Sequence, residues 1–323
     1  MKSKVVLKKQ ADYDLNAIEC FIRDSVDRLF PDASPFKPGD RVLLKPNLLR
    51  SATPEQCVTT HPVILEAMCR VLKDFGVRSI TISDSPAMGS LNFVARQAGY
   101  EPLVKTYGAQ ITPLSRPTDF ESLEKIPHLK IAGCLDDYDH VVNLPKVKSH
   151  RQMTVTLSIK NLFGLVIGKR KPVLHCLVQN DKVKFGRMLV EIAQKVNPTL
   201  TVVDGVQAMQ GNGPMNGTPF PLGVVCAGRD QTAVDRVMTE ILPVPLERMY
   251  VLTAAEQLKF GQADMAQIQL VGETDLQLLR AEDFKLADRP LDISFNPLRL
   301  AKSCFKQFVE LAFKERWAKS GPA

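Results

Sequence analysis

The chain has 323 residues, 45% hydrophobic and 24% charged, with 42 Lys and Arg against 35 Asp and Glu and a net charge of +7. That is enough for one large domain or two ordinary ones with a full core, and the excess positive charge favours anionic partners. No arginine-rich or aromatic–basic stretch marks a nucleic-acid binder, no apolar run is long enough to span a bilayer, and the first residues are too polar for a signal peptide. The seven cysteines are scattered, without a Cys-x-x-Cys pair. They read as reduced thiols of a cytoplasmic protein rather than as a disulfide frame or a zinc or iron–sulfur site.

In chain order, Val5 to Leu7 is a short strand, and Asp14 to Phe30 a helix with Ile18, Ile22, Val26 and Leu29 on one stripe. Arg41 to Lys45 is a buried strand stopped by Pro46. Thr60-His61-Pro62 opens an amphipathic helix over Val63 to Phe75, closed by Gly76. Val77 to Ser83 is a strand running into Asp84 and Ser85, Ser90 to Gly99 a helix, and Ala109 to Leu114 a strand. This alternation predicts an α/β fold, a mostly parallel sheet flanked by helices. Residues 116–134 read as an excursion from the sheet, and Tyr138 to Leu144 as the next strand. After a basic turn over Gly168 to Pro172 come His175, a helix over Phe185 to Val196, and a strand over Leu200 to Asp204. Gln207 to Pro219, rich in glycine and amides, reads as a lid loop. A strand over Leu222 to Ala227, helices over Thr232 to Leu242 (bearing Asp235) and Tyr250 to Phe260, and a strand over Ile268 to Val271 complete a domain of residues 1–283. The tail, 284–323, carries a basic amphipathic helix over Arg299 to Lys319, suited to its own domain, a partner protein or an anionic membrane surface.

The stretch from Asn143 to Gly164 organises the rest. Lys146, Lys148, His150, Gln152, Thr154, Thr156, Ser158 and Lys160 all fall on even positions, and Val147, Met153, Val155, Leu157 and Ile159 on odd ones. An extended chain would separate them into a donor face and an apolar face. The donor face suits phosphate, carboxylate or a developing oxyanion. A solvated edge strand, or a helix from Thr154 to Leu162, are the alternatives.

Lys45 and Asn47, Asp84, Lys146 to His150 and Asp204 recur at the carboxyl ends of strands, where an open α/β sheet places its ligands. Lysines facing aspartates could bind an anionic substrate and shift a lysine or histidine towards acid–base work. His150 and His175 with Asp84 or Asp204 could instead hold a divalent metal, although no tight helical metal motif is present. There is no Gly-x-Gly-x-x-Gly after a strand, no Walker sequence and no Gly-x-Ser-x-Gly.

At these residues the chain resembles the domain-of-unknown-function 362 family. The matching pieces are Leu44-Lys-Pro-Asn47, Thr60-His-Pro62, Ser83-Asp-Ser85, Asn143 to His150, Ser158-Ile-Lys-Asn161-Leu-Phe-Gly164, Val203-Asp-Gly205 and Gly213-Pro-Met-Asn-Gly217. The resemblance implies that these motifs form one site, and it supplies no reaction. Many relatives carry a ferredoxin-like cysteine segment and are described as iron–sulfur proteins. The C-terminal part of this chain has only Cys304, so no iron–sulfur cluster is expected.

Two readings follow. In the first, an enzyme of unassigned reaction takes a small anion. Lys148, His150, His175 and Asp84 carry the chemistry, and Lys45, Asn47, His61, Lys146, Lys160, Asn161 and Asp204 hold the substrate. In the second, a non-catalytic redox-partner or binding subunit docks through 299–319.

Overall fold

A computed structural model of the chain describes residues 2–127, 129–167 and 171–293. The basic turn lies partly, and the amphipathic segment 299–319 wholly, outside the described residues. The chain begins with β1 (Ser3–Lys9), α1 (Leu15–Leu29), β2 (Arg41–Pro46), α2 (Pro62–Asp74), β3 (Ser79–Ile82), α3 (Leu91–Gln97), α4 (Glu101–Tyr107) and β4 (Gln110–Ile111). The excursion is a small antiparallel ribbon of β5 (Pro117–Asp119) and β6 (Lys130–Ala132). There follow β7 (His140–Leu144), β8 (Lys146–His150), β9 (Thr154–Thr156), α5 (Ser158–Asn161), α6 (Lys171–Leu177) and α7 (Lys182–Val196). The last elements are β10 (Leu200–Gln210), β11 (Thr218–Phe220), β12 (Val224–Gly228), α8 (Gln231–Ile241), α9 (Tyr250–Gln257) and β13 (Ile268–Gly272).

The main sheet runs β13-β1-β12-β10-β7-β2-β3-β4. Its β10-β7-β2-β3-β4 half is parallel, and β12 is antiparallel to both of its neighbours. Alternation along the strands divides the core. Val6, Val202, Val225 and Ala227 join one cluster with α1, α2 and α3. Val5, Leu7, Val203, Val224 and Cys226 face the other way, onto α8. A third cluster packs α7 and α9 around Phe163 and Leu174. The helix entries follow from capping: Asp14, Ser90, Asp181 and Asp230 each accept a backbone N–H in the first turn of their helix. His61 does the same through Nδ1 ahead of Pro62.

Three expectations change. The donor-rich stretch is not one extended strand. β8 and β9 form an antiparallel pair, with Lys148 opposite Thr156 and His150 opposite Thr154. The turn between them, and Thr154 at φ 66°, reset the alternation, so Lys160 arrives on the short helix α5. Neither face of β8 is solvated, for all five of its residues are buried. The lid loop is a hairpin. β10 continues to Gln210, β11 returns along it, and the tip packs on β8 through Ser149 Oγ to the Gly211 carbonyl at 2.7 Å and Arg151 N to the Gly213 carbonyl at 3.3 Å. Finally, α4 is a helix absent from the sequence reading, a short one with proline in its first turn.

Candidate functional site

β2 and β7 lie side by side in parallel, which sets Lys45 opposite Asn143. β7 passes through Pro145 into β8, and β8 keeps company with β10, setting Lys146 opposite Asp204. The carboxyl ends of β2, β3 and β7, with the middle of the longer β10, therefore deliver their polar residues to one edge, where open parallel sheets place them. Lys45, Asn47, Asp84, Lys146, Lys148 and Asp204 are all buried there.

The first half of this layer is closed. Lys146 Nζ lies 3.0 Å from Asp204 Oδ2 and donates to the Tyr13 hydroxyl at 2.7 Å. Tyr13 donates in turn to Asp204 Oδ1 at 2.9 Å, and the His61 backbone N–H reaches Oδ2 at 2.8 Å. The Tyr13 and His61 rings stack at 3.5 Å between centroids. Burial, with the Asp204 charge second, holds the Tyr13 phenol far above its ordinary range. Burial also lowers the His61 imidazole to about 4, against the pull of Asp204. The sequence reading missed Tyr13, which precedes a helix and carries no strand-end signal.

The second half is lysine-rich. Lys45 Nζ lies 3.1 Å from Asp84 Oδ2 and donates to the Pro46 carbonyl at 2.6 Å. Asp84 also accepts the backbone N–H groups of Leu48 and Ser85, both at 2.7 Å. Asn161, brought in by α5, bridges the strands, its Nδ2 donating to the Lys45 carbonyl at 3.2 Å and to Asn143 Oδ1 at 2.8 Å. Asn47 Nδ2 donates to Asn161 Oδ1 at 2.9 Å. Lys148 Nζ meets only neutral acceptors, Asn47 Oδ1 at 2.7 Å and the Val58 carbonyl at 2.8 Å. Gly164 lets this assembly close: a Cβ there would collide with Asp84 Oδ1 and lie 2.6 Å from Lys45 Nζ. Lys171, at the start of α6, donates to the Ser85 carbonyl.

Lys160 sits beside them. Its Nζ lies 4.9 Å from the Phe163 ring centroid and 5.9 Å from that of Phe185. Burial first, then the neighbouring Lys171 and Lys45, lower it to about 7. Burial lowers Lys171 to about 8. Burial depresses Lys45 against the pull of Asp84, and it drives Lys148, which is also repelled by Lys160, well below the ordinary lysine range.

His150 Nδ1 accepts the backbone N–H groups of Gln152 and Met153, each at 3.1 Å, so the neutral ring carries its proton on Nε2. Burial, with Lys160 second, pushes His150 well below its usual range and His175 to about 3. His175 lies against Phe185 at 4.4 Å and Phe163 at 5.7 Å between centroids. The two histidines belong to the Lys160 surroundings. The two aspartates do not orient them: Asp84 and Asp204 are each taken by a lysine and by backbone N–H groups. Among the described residues no three His, Cys, Asp or Glu side chains are grouped to hold a metal ion. With both aspartates committed to lysines and His150 Nδ1 to backbone donors, these residues do not fit the divalent-metal alternative.

A further buried acid, Asp235 of α8, accepts the backbone N–H groups of Ser158 at 2.7 Å and Ile159 at 3.1 Å. It fixes the start of α5, which carries Lys160 and Asn161. Burial raises Asp235 to about 7, against those two donors. Outside the buried layer, a depression of about 500 Å³ is lined by Arg151, Asn212, Asn216, Asp288 and Arg289, beside the hairpin tip.

The fold and this edge define an α/β protein with a polar site of lysines and amides where its parallel strands end. The chain belongs to the domain of unknown function 362 family, whose model matches residues 42–240. It is 35% identical over 315 residues to a thylakoid-associated protein of Synechocystis sp. (strain ATCC 27184 / PCC 6803 / Kazusa), covering 98% of this chain and 97% of that one. Among solved structures it is similar to the lactate racemase apoprotein from Thermoanaerobacterium thermosaccharolyticum, with 12% identity and a TM-score of 0.39. That likeness covers 72% of this chain and spans 55% of the racemase. Among the described residues no helix is long and apolar enough to cross a membrane.

Proposed function

We propose that the chain is an enzyme that binds a small carboxylate- or phosphate-bearing substrate in the lysine-rich half of the layer. One observation carries this reading. Three amino groups, those of Lys45, Lys148 and Lys171, share a single carboxylate, Asp84; a fourth, that of Lys160, lies beside Lys45 and Lys171, and all four are held below the ordinary lysine range. Like charges in a poorly solvated site disfavour protonation, and a bound anion reverses that preference. The ligand thus gains charge-assisted hydrogen bonds from amines that become protonated around it. Lys45, Lys160 and Lys171 hold the anion, and Asn47 and Asn161 fix their geometry. His150 and His175, both neutral, are the groups that would move a proton.

Thermal unfolding with oxalate and with inorganic phosphate tests this reading. The midpoint rises with ligand concentration in the intact chain, and the rise is lost in a Lys160→Met/Lys171→Met variant that keeps the native circular dichroism. An equal rise in that variant, or none in the intact chain, overturns the reading.

A second reading concerns location. The thylakoid-associated relative matches nearly the whole chain, and residues 299–319 alternate apolar with Lys and Arg positions in the manner of a surface-lying helix. On this reading the protein lies at an anionic membrane surface. Co-flotation with vesicles containing phosphatidylglycerol, lost on deleting 297–323 and at high salt, supports it; flotation that survives the deletion refutes it.

A further inference from the structure

The five lysines of the strand-end layer are not equivalent. Lys45, Lys146, Lys148 and Lys171 each donate hydrogen bonds to named oxygens, from Asp84, Asp204, Asn47 and the Ser85 carbonyl among others. Lys160 Nζ makes no hydrogen bond or ion pair with any described residue and instead lies beside a pair of phenyl rings, those of Phe163 and Phe185. Part of its side chain meets solvent, whereas Lys45, Lys146 and Lys148 are sealed. Its helix is pinned at both ends, by the Asp235 carboxylate on the Ser158 and Ile159 N–H groups and by Asn161 on two strands. A lysine held rigidly, kept from acids, placed against aromatic rings and flanked by two further amines meets the requirements of an amine nucleophile.

We propose that Lys160 is a nucleophilic residue that condenses with the carbonyl carbon of a small oxo-acid to form a Schiff base. The proposal deepens the anion-binding reading and rests on it. Lys171, partly exposed like Lys160, grips the carboxylate of the oxo-acid and brings its carbonyl to Nζ, with the Lys45 charge behind it. The amine lone pair forms the new C–N bond while the carbonyl π pair moves to oxygen. A proton passes from nitrogen to that oxygen, giving a carbinolamine. The C–O bond then breaks and the hydroxyl leaves with a further proton, as water, giving C=N. One amine and one carbonyl yield one imine and one water, with no oxidant or reductant. His150 and His175, whose rings feel the Lys160 charge, are the groups placed to relay the protons. An amine lowered to about 7 has a large unprotonated fraction at neutral pH, which an exposed lysine lacks.

The test uses the full chain and glyoxylate, the smallest oxo-acid, with sodium cyanoborohydride to reduce any imine to a carboxymethyl group that peptide mass spectrometry can place. The expected result is labelling of Lys160 at roughly tenfold or more the rate of exposed lysines at neutral pH, from its larger free-amine fraction. The rate rises through a midpoint near 7, oxalate slows it, and Lys160→Arg abolishes it. Mapping in the intact chain decides the matter even where that variant folds poorly. If oxalate stabilises the protein but labelling spreads over exposed lysines, Lys160 is not the nucleophile and the anion site stands. If oxalate neither stabilises the protein nor slows labelling, and Lys160 stays unmodified, both readings fall.

Discussion

The closed and the lysine-rich halves of the strand-end layer bury lysine in two different ways. Lys146 has its own carboxylate, Asp204, and the Tyr13 phenol completes a ring of hydrogen bonds around them. Lys45 has Asp84, but Lys148, Lys160 and Lys171 crowd the same region without an acid of their own. A buried charge without a partner is costly, and the cost appears as a displaced pKa. The first half is complete without a ligand, whereas the second has an excess of amines that an anion would balance. Similar residues, two positions apart on one strand, are thus paired with a carboxylate at Lys146 and left with neutral acceptors at Lys148.

Removing one acid should separate the two kinds of burial most clearly. Asp204→Ala leaves Lys146 buried without its charge partner, and such a loss costs about 3–5 kcal/mol. Urea unfolding should show that drop, and Lys146→Met/Asp204→Leu, which removes both charges, should recover most of it. Lys160→Met, by contrast, replaces an amine already disfavoured in its charged form and should leave stability unchanged or raise it. An Asp204→Ala protein as stable as the parent would mean that the closed half is not a buried ion pair.

Gly164→Ala comes next. The added methyl group meets Asp84 Oδ1 and Lys45 Nζ in a filled space, and overpacking of this kind costs about 1–3 kcal/mol. The same substitution should weaken oxalate binding, because it separates Lys45 from Asp84. Unchanged stability and affinity would place the contact outside both roles.

pH distinguishes the halves more gently. Lys160 falls from its ordinary 10.5 to about 7 on folding, so the unfolded chain binds more protons between those values. Stability therefore rises with pH from about 7 towards 10.5, and the destabilising contribution is fully present below about 7. Lys171 acts in the same sense from about 8. Asp235, raised from 3.8 to about 7, acts oppositely, and its contribution to stability falls as pH rises through that window. Urea midpoints measured in buffers free of binding anions should show Lys160→Met flattening the alkaline rise. Asp235→Asn should flatten the fall below 7. Profiles parallel to that of the parent would show that neither group titrates abnormally.

Much of the edge was legible because strand ends are marked in sequence. Pro46 after Lys45 and Asp84 after an apolar run each identify a carboxyl end, and parallel topology brings such ends together. Asp204, expected to end its strand, lies in the middle of β10, which runs on to Gln210. Lys146 and Lys148 share a face by parity alone. The rest depended on long-range geometry. Thr154 at positive φ is a conformation that threonine rarely adopts, so nothing local announced the reversal after β8, although the alternative helix over Thr154 to Leu162 did cover Lys160. Which acid meets which base depends on register: Asp204 lies opposite Lys146, and this takes the aspartate away from the histidines with which it was a candidate metal ligand. Asp235 and Tyr13 reach the layer from helix-side positions that periodicity assigns to surface or core.

The smallest effect belongs to Tyr13, and it tests whether the closed half is closed by charge or by the phenol. Tyr13 accepts from Lys146 and donates to Asp204, and its ring also covers His61. Tyr13→Phe keeps the ring and its stacking and removes only the hydroxyl. A hydrogen bond to a charged group is worth about 1.5–3 kcal/mol when a buried partner is stranded, and about 1 kcal/mol when the remaining contacts adjust. Lys146 and Asp204 still have each other at 3.0 Å, so the lower figure is expected, well short of the loss in Asp204→Ala. The His61 imidazole would stay near 4, since burial rather than the phenol lowers it, and proton NMR titration of His61 would check this. A Tyr13→Phe loss as large as that of Asp204→Ala would make the phenol, and not the ion pair, the element that keeps water out of this half of the layer.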